Sequence, residues 1–470
     1  MKSQLRLLSI CLTLIVLVVV VPIAMAGGPS AADDIKALYS QEQVMANETT
    51  LVGFGPRVAG GPAEKAAAEW IAGQMRSYGL DVEIQEFPIT YYEELRPPVL
   101  QQVAPIPTTY VWQTDFSTMS YSGSGNVTSP IQAVDVLMPP TGGSTSGCEA
   151  TDFAGFVPGN IALIQRGTCT FAAKAINAQA AGAVGVVIYN EGNNPGRTGV
   201  INGTLGGPGV GIPVVGTTYA LGEQLYNELA GGPVVVHMDV STASAESTSQ
   251  NVIGTLVGTD PAQGIVYMGG HYDSVAFAPG ANDDASGVAA TLEAARVLAT
   301  KGHRTKATLK FIAFGAEETG LNGSYEYVAA NEAEVTAKGL GMINLDMIGV
   351  GNTLSIGTLE GANTTLRDYT GAKATAMSMP WQFFTAGTNS DHTYFAQVGV
   401  PASFLSQGPD PYYHTSQDTL DKIQPATLEA NGELATTTMY DWAKNPALRA
   451  KKAMKLQMVH VYHDKVLETQ

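Results

Sequence analysis

At 470 residues the chain is too long for one compact core, and two or three domains are expected. Hydrophobic residues at 45 % against charged residues at 14 % exclude an intrinsically disordered chain. The formal charge of −17 excludes recruitment to nucleic acid or anionic lipid by the overall field, and leaves the substrate open.

The chain opens with Lys2 and Arg6, an apolar run from Leu7 to Val21, and the small-x-small triplet Ala24-Met25-Ala26. Residues 1–26 therefore read as a secretory signal peptide, which predicts an extracellular or periplasmic protein with no membrane attachment after cleavage. The rival reading, an uncleaved anchor, suffers from an apolar run that is short for a full span. Cleavage removes two positive charges and Cys11, leaving −19 and the pair Cys148 and Cys169. An even pair in an exported protein predicts a disulfide, worth about 3 kcal/mol for a loop of this length.

Residues 27–129 read as the N-terminal part of the domain completed by residues 244–445, and Pro29–Pro97 within them read as helical and then extended. Ala66, Trp70, Ile71 and Met75 share one face of a helix predicted over Ala63–Tyr78, which Gly79 stops. A strand is predicted over Asp81–Phe87. Residues 130–243 are rich in Gly, Val and Ala, with short strands at Ile161–Ile164, Gly185–Tyr189 and Pro213–Gly216 and a helix near Phe171–Ala181. The small, polar stretch Ser241–Ser249 reads as a linker between domains. Residues 244–445 alternate apolar strands (Ile265–Met268, Leu309–Phe314, Met342–Leu345, Ser403–Leu405) with helices such as Gly287–Thr300. That alternation predicts an α/β architecture with a mostly parallel, mixed sheet flanked by helices. The tail 446–470, with Arg449, Lys451, Lys452 and Lys455, reads as a solvated basic helix without a function.

Each strand of the last region is followed by acids or histidine. Gly269-Gly270-His271-Tyr272-Asp273 follows the first, Gly315-Ala316-Glu317-Glu318 the second, Asp346 the third, and a loop with Tyr412-Tyr413-His414 the fourth. Ligands of open α/β sheets bind beyond the carboxyl ends of the strands, so these groups are expected to share one cleft. Histidines and carboxylates without cysteine suit zinc or a similar divalent ion. Asp283, in the loop before the helix, could bridge two ions about 3.5–4 Å apart. His271, Asp283, Asp346, His414 and one of Glu317 and Glu318 would then be ligands, with the other glutamate left as a base; spacing does not say which.

Taken in order, GGHYDSV (269–275), PGANDDASG (279–287), FGAEETG (314–320), NLDMIG (344–349) and YYHTSQDT (412–419) make residues 251–422 resemble the co-catalytic zinc aminopeptidases of the bacterial leucyl aminopeptidase and aminopeptidase Y type. The resemblance implies the zinc exopeptidase fold and two zinc ions per chain. It implies His271 and Asp346 on one ion, Glu318 and His414 on the other, and Asp283 between them. Glu317 would be the general base, Asp273 would orient His271, and Tyr413 would donate to the developing oxyanion. A cis peptide between Asp283 and Asp284 is also implied. Substrates would be peptides with a free amino terminus, and Met347 would line a pocket favouring an apolar, Leu-like first residue. The alternatives are a carboxypeptidase or dipeptidase of the glutamate carboxypeptidase type, and a non-catalytic receptor-like protein. His392 looks like a ligand by composition, but the family pattern makes it structural. His237, His303, His460 and His463 have no neighbouring acid cluster.

In the middle region, Asp152-Phe153-Ala154, Gly159–Gly167, Cys169-Thr170-Phe171 and Lys174 through Ala183 look like a protease-associated domain, an inserted smaller α/β unit. That resemblance implies pairing of Cys148 with Cys169 and a structural role for Arg166, with no metal ligand from this domain.

Overall fold

The computed structural model describes residues 31–448, apart from 141, 301 and 302. The signal-peptide reading of 1–26 and the helical reading of the basic tail beyond 448 lie outside the described residues. Among those described, no helix is long and apolar enough to cross a membrane, and the strands form two eight-stranded sheets.

The first sheet contains β1 (Asp81–Glu94), β2 (Thr242–Leu256), β3 (Ile265–His271), β4 (Thr308–Phe314), β5 (Gly339–Leu345), β6 (Thr353–Leu359), β7 (Trp381–Ala386) and β8 (Ala402–Gly408). Their spatial order is β1-β2-β4-β3-β5-β8-β6-β7. The four central strands β4, β3, β5 and β8 are parallel, while β1, β2 and β6 pair antiparallel with their inner neighbours. Alternation along the strands sends side chains to opposite faces. Val266 and Met268 of β3 join Val288, Leu292, Leu434 and Met439 from the helices Ser286–Ala299 and Pro425–Lys444 in one core. Ile265 and Tyr267 join Tyr327, Val328 and Phe395 on the other face. The result is a helix–sheet–helix sandwich whose chain order reverses on either side of β3, with β4 on one flank and β5 on the other.

The second sheet centres on the parallel strands Gly125–Val134, Ile161–Gln165, Gly185–Tyr189 and Val214–Thr217. It begins earlier than the expected boundary at 130. Val99–Ala104 pairs antiparallel with Val235–Val240 and buries Leu100, so the inserted unit takes its first strand from the preceding stretch.

A second expectation is corrected. Residues 241–249 are not a linker: from Thr242 onward they form the start of β2, paired residue by residue with β1 from Glu94↔Thr242 to Phe87↔Ser249. A ribbon that runs beyond the sheet exposes both faces, and Ala243 to Ser247 are half-buried or exposed. Its composition therefore resembles a linker, and the ladder hydrogen bonds come from a strand more than 140 residues earlier. Cys148 and Cys169 form a disulfide, 21 residues apart.

Candidate active site

The site is assembled where the four parallel strands end. Gly269 and Gly270 close β3 because a Cβ on Gly270 would stand 2.3 Å from the carbonyl oxygen of Leu345 and 2.4 Å from Asp284 Oδ2. That close approach seats His271, only 1 % exposed, at the sheet's edge. Its Nε2 lies 3.1 Å from Asp283 Oδ1, 3.8 Å from Asp346 Oδ1 and 3.9 Å from Glu317 Oε2.

Asp283 and Asp284 sit at a kink in the segment Ala281–Ala285, both with non-helical backbone angles (φ −113°, ψ 92° and φ −131°, ψ 48°), just before the helix Ser286–Ala299. The peptide between them is cis. Their roles separate by contact. Asp284 turns back: Oδ1 accepts the N–H groups of Gly287 at 2.9 Å and Met347 at 3.1 Å. Asp283 turns outward, with Oδ1 on His271 and Oδ2 3.0 Å from His414 Nε2. Its N–H and that of Asn282 are held by Asp418, at 3.1 and 2.8 Å.

After β4, the turn 315–318 brings Glu318 Oε2 to 3.1 Å from His414 Nε2. After β5, Asp346 is fixed by Ser390 Oγ, which donates to Oδ2 at 2.6 Å and accepts from Asn344 Nδ2 at 2.6 Å. His414 has a left-handed backbone, φ 57°. The ring of Tyr413, 47 % exposed, stacks on it with centroids 3.7 Å apart. Met347 also has a positive φ, 62°, and its backbone bridges Asp284 and Gln407.

The electrostatics follow from crowding carboxylates in a dry place. Burial, then neighbouring Glu318, Asp346 and Asp391, pushes the Glu317 carboxyl well above the usual range, against the pull of His271. Burial alone would lower the His271 imidazole, but Glu317, Asp273, Asp283 and Asp346 outweigh it and raise its pKa. Asp283 is held low because the two histidines outweigh its desolvation.

Donor atoms of His271, Asp283 and Glu318 lie within 4.8 Å of one another, as do those of His271, Asp284 and Asp346. Nitrogen and oxygen donors in this arrangement fit zinc. In the second group Asp284 is a poor ligand, since Oδ1 is engaged by two N–H groups and a Cβ on Gly270 or Gly287 would lie within 2.5 Å of Oδ2. Asp283 faces both histidines instead.

The structure thus brings His271, Asp283, Glu317, Glu318, Asp346 and His414 together, with Asp273 and Tyr413 beside them. Cys148 and Cys169 lie in loops between the elements of the inserted unit. His392 is excluded from the ligand set: it is fully buried, stacked on Phe404 with centroids 4.8 Å apart, and burial pushes its pKa down to about 3. Asp273 contacts both His271 and the turn 315–318. Its backbone oxygen is 3.2 Å from His271 Nδ1, while its carboxylate accepts the N–H groups of Glu317 and Glu318.

Sequence reading overlooked three supporting residues. Asp418 lies inside the matched motif 412–419, where it drew no role. Ser390 is two residues from His392, whose composition held attention. Arg57, in Gly55-Pro56-Arg57-Val58, carried no signal beyond a cation in a turn-rich stretch.

Residues 251–439 match the model of peptidase family M28, and residues 128–225 match the PA domain. An aminopeptidase of Pseudomonas aeruginosa is 35 % identical over 396 residues, covering 83 % of this chain and 72 % of that one. Aminopeptidase YwaD of Bacillus subtilis is 34 % identical, covering 87 % of each. Among solved structures, an aminopeptidase from Aneurinibacillus sp. strain AM-1 superposes with a TM-score of 0.70 at 34 % identity, over 91 % of this chain and all of that one. A zinc aminopeptidase from Bacillus subtilis gives 0.64 at 31 % identity, over 91 % of this chain and 98 % of that one.

Proposed function

Since the chain belongs to peptidase family M28, we propose that it is a secreted aminopeptidase that uses two zinc ions to remove an apolar, Leu-like residue from the amino terminus of peptides. The observation that carries this reading is the Asp283 carboxylate, which presents one oxygen to His271 and the other to His414 at nearly equal distances. A carboxylate placed in this way could be shared between two ions. His271 and Asp346 would hold one ion, Glu318 and His414 the other.

Bound zinc supplies Lewis-acid polarisation of the scissile carbonyl and lowers the pKa of water toward neutrality. Glu317, buried and 3.9 Å from His271 Nε2, takes a proton from the attacking water and returns it to the leaving amine. The Tyr413 hydroxyl donates to the developing oxyanion. Asp273 holds the Glu317–Glu318 turn through two backbone N–H groups.

A preference for the amino end is supported by the state of Arg57, the arginine packed beside the site. It is buried, and its guanidinium donates to backbone carbonyls, so it offers no pocket to a substrate carboxylate. Rates on Leu-, Lys- and Glu-p-nitroanilide, with N-acetyl-Leu-p-nitroanilide alongside and with chelator added, test the reading. Cleavage of the Leu compound first, none of the blocked one, and loss with chelator are expected. Cleavage of the blocked compound, or a charged residue preferred, would contradict it.

A further inference from the structure

We propose that Arg57 is a positioning residue that holds the segment between His271 and Asp283 in its ligand-ready shape before metal arrives, a role that rests on the zinc reading above. Arg57 is fully buried. Its Nε donates to the carbonyl oxygen of Tyr272 at 2.6 Å. Nη1 donates to Pro279 at 2.6 Å and Nη2 to Gly280 at 2.9 Å. One planar guanidinium therefore ties the residue after His271 to the residues just before Asp283, closing the intervening loop into a ring.

The backbone of Arg57 reinforces the same loop. Its N–H donates to Ser274 Oγ at 3.0 Å and its carbonyl accepts the Ser274 N–H at 3.2 Å. Ser274 Oγ in turn donates to the carbonyl oxygen of Ala278 at 3.0 Å.

Charge explains why an arginine stands here. Asp273, Asp284, Asp418 and Glu48 all act on Arg57 electrostatically, and Asp283, Asp346, Glu317 and Glu318 crowd around His271 and His414. Without metal, that many carboxylates in a low-dielectric pocket repel one another and favour opening of the loop. A permanent cation wired to backbone carbonyls opposes this without competing for the carboxylate oxygens that ligate. Lysine would keep the charge but, as a single point donor, could not span both ends of the loop.

A merely structural arginine would stabilise metal-free and zinc-loaded protein alike. A positioning one changes the zinc-linked part of stability, which grows with ligand affinity. The test strips the full chain with chelator, then measures zinc binding by competition with a chromophoric chelator and melting with and without zinc, for wild type and Arg57→Lys. Zinc affinity is expected to fall about 10- to 100-fold, with a smaller zinc-induced rise in Tm. Wild-type affinity and an undiminished zinc-induced rise would overturn the proposal, whatever happens to the metal-free Tm. Should Arg57→Lys not fold, Ser274→Ala serves: a loss of about 2- to 10-fold is expected, and unchanged affinity overturns the proposal. A wild type that binds no zinc at all would overturn the metal reading itself, an outcome distinct from variants that bind normally.

Discussion

Asp273 Oδ1 accepts the backbone N–H of Glu317 at 3.0 Å, and its other oxygen accepts that of Glu318 at 3.1 Å. A single buried carboxylate thus sets the turn that separates the proposed base from the proposed ligand. In Asp273→Asn an NH2 group would face one of those N–H donors. We expect kcat to fall about 10- to 100-fold with little change in KM, read by steady-state kinetics on Leu-p-nitroanilide. Kinetics within twofold of wild type would show that the turn holds itself.

Gly280 has φ +62°, and a Cβ there would stand 2.5 Å from the Asp283 carbonyl oxygen and 2.6 Å from Ser274 Cβ. Gly280→Ala is expected to destabilise the protein by about 2 kcal/mol or more, as strain and overlap add. Urea unfolding of metal-free protein checks this, and a loss under about 0.5 kcal/mol would contradict the packing described.

Glu64 is fully buried. Burial first, and Asp273 second, push its carboxyl up to about 8, although Ser249 Oγ and the Gly60 N–H donate to it. The folded state therefore prefers the protonated form. Its contribution is complete below the unfolded value near 4.5 and is lost as pH rises through about 8. Metal-free wild type should lose stability relative to Glu64→Gln between pH 5 and 8, by up to about 1.4 kcal/mol per pH unit. A difference that stays flat over this window in thermal melts would contradict the assignment.

The Cys148–Cys169 bridge lies within residues 128–225, the stretch that matches the PA domain. Replacing both cysteines by alanine should lower stability there by about 3 kcal/mol. Hydrolysis of a small anilide at 25 °C should be unchanged. Calorimetry and kinetics on the same sample check both, and a loss of kcat without unfolding would mean that the insert acts on the site.

What could be read from sequence was governed by locality. His271, Glu317, Glu318 and Asp346 follow apolar runs that delimit β3, β4 and β5, so their gathering at the carboxyl ends of the strands was expected from the strand–helix alternation. His414 lies six residues past the end of β8, in a loop that still follows an apolar run, whereas the choice between Glu317 and Glu318 as ligand needed the family motif. Arg57 was illegible because its partner Tyr272 is 215 residues away, and its donors go to backbone carbonyls, which leave no mark on composition. The misread stretch 241–249 fails for a related reason: a ribbon exposed on both faces selects the same small polar residues as a loop. The ladder that makes it a strand belongs to residues 87–94.

Zinc content measured together with Leu-p-nitroanilide hydrolysis, for Glu317→Ala beside wild type, separates a two-zinc aminopeptidase with a glutamate base from every other reading of the site. Glu317 is expected to be a base and not a ligand, so both proteins should carry two zinc ions per chain while kcat of the variant falls about 10²- to 10⁴-fold. A variant that keeps both ions and wild-type kcat would contradict the account, as would one whose activity falls only because zinc is lost.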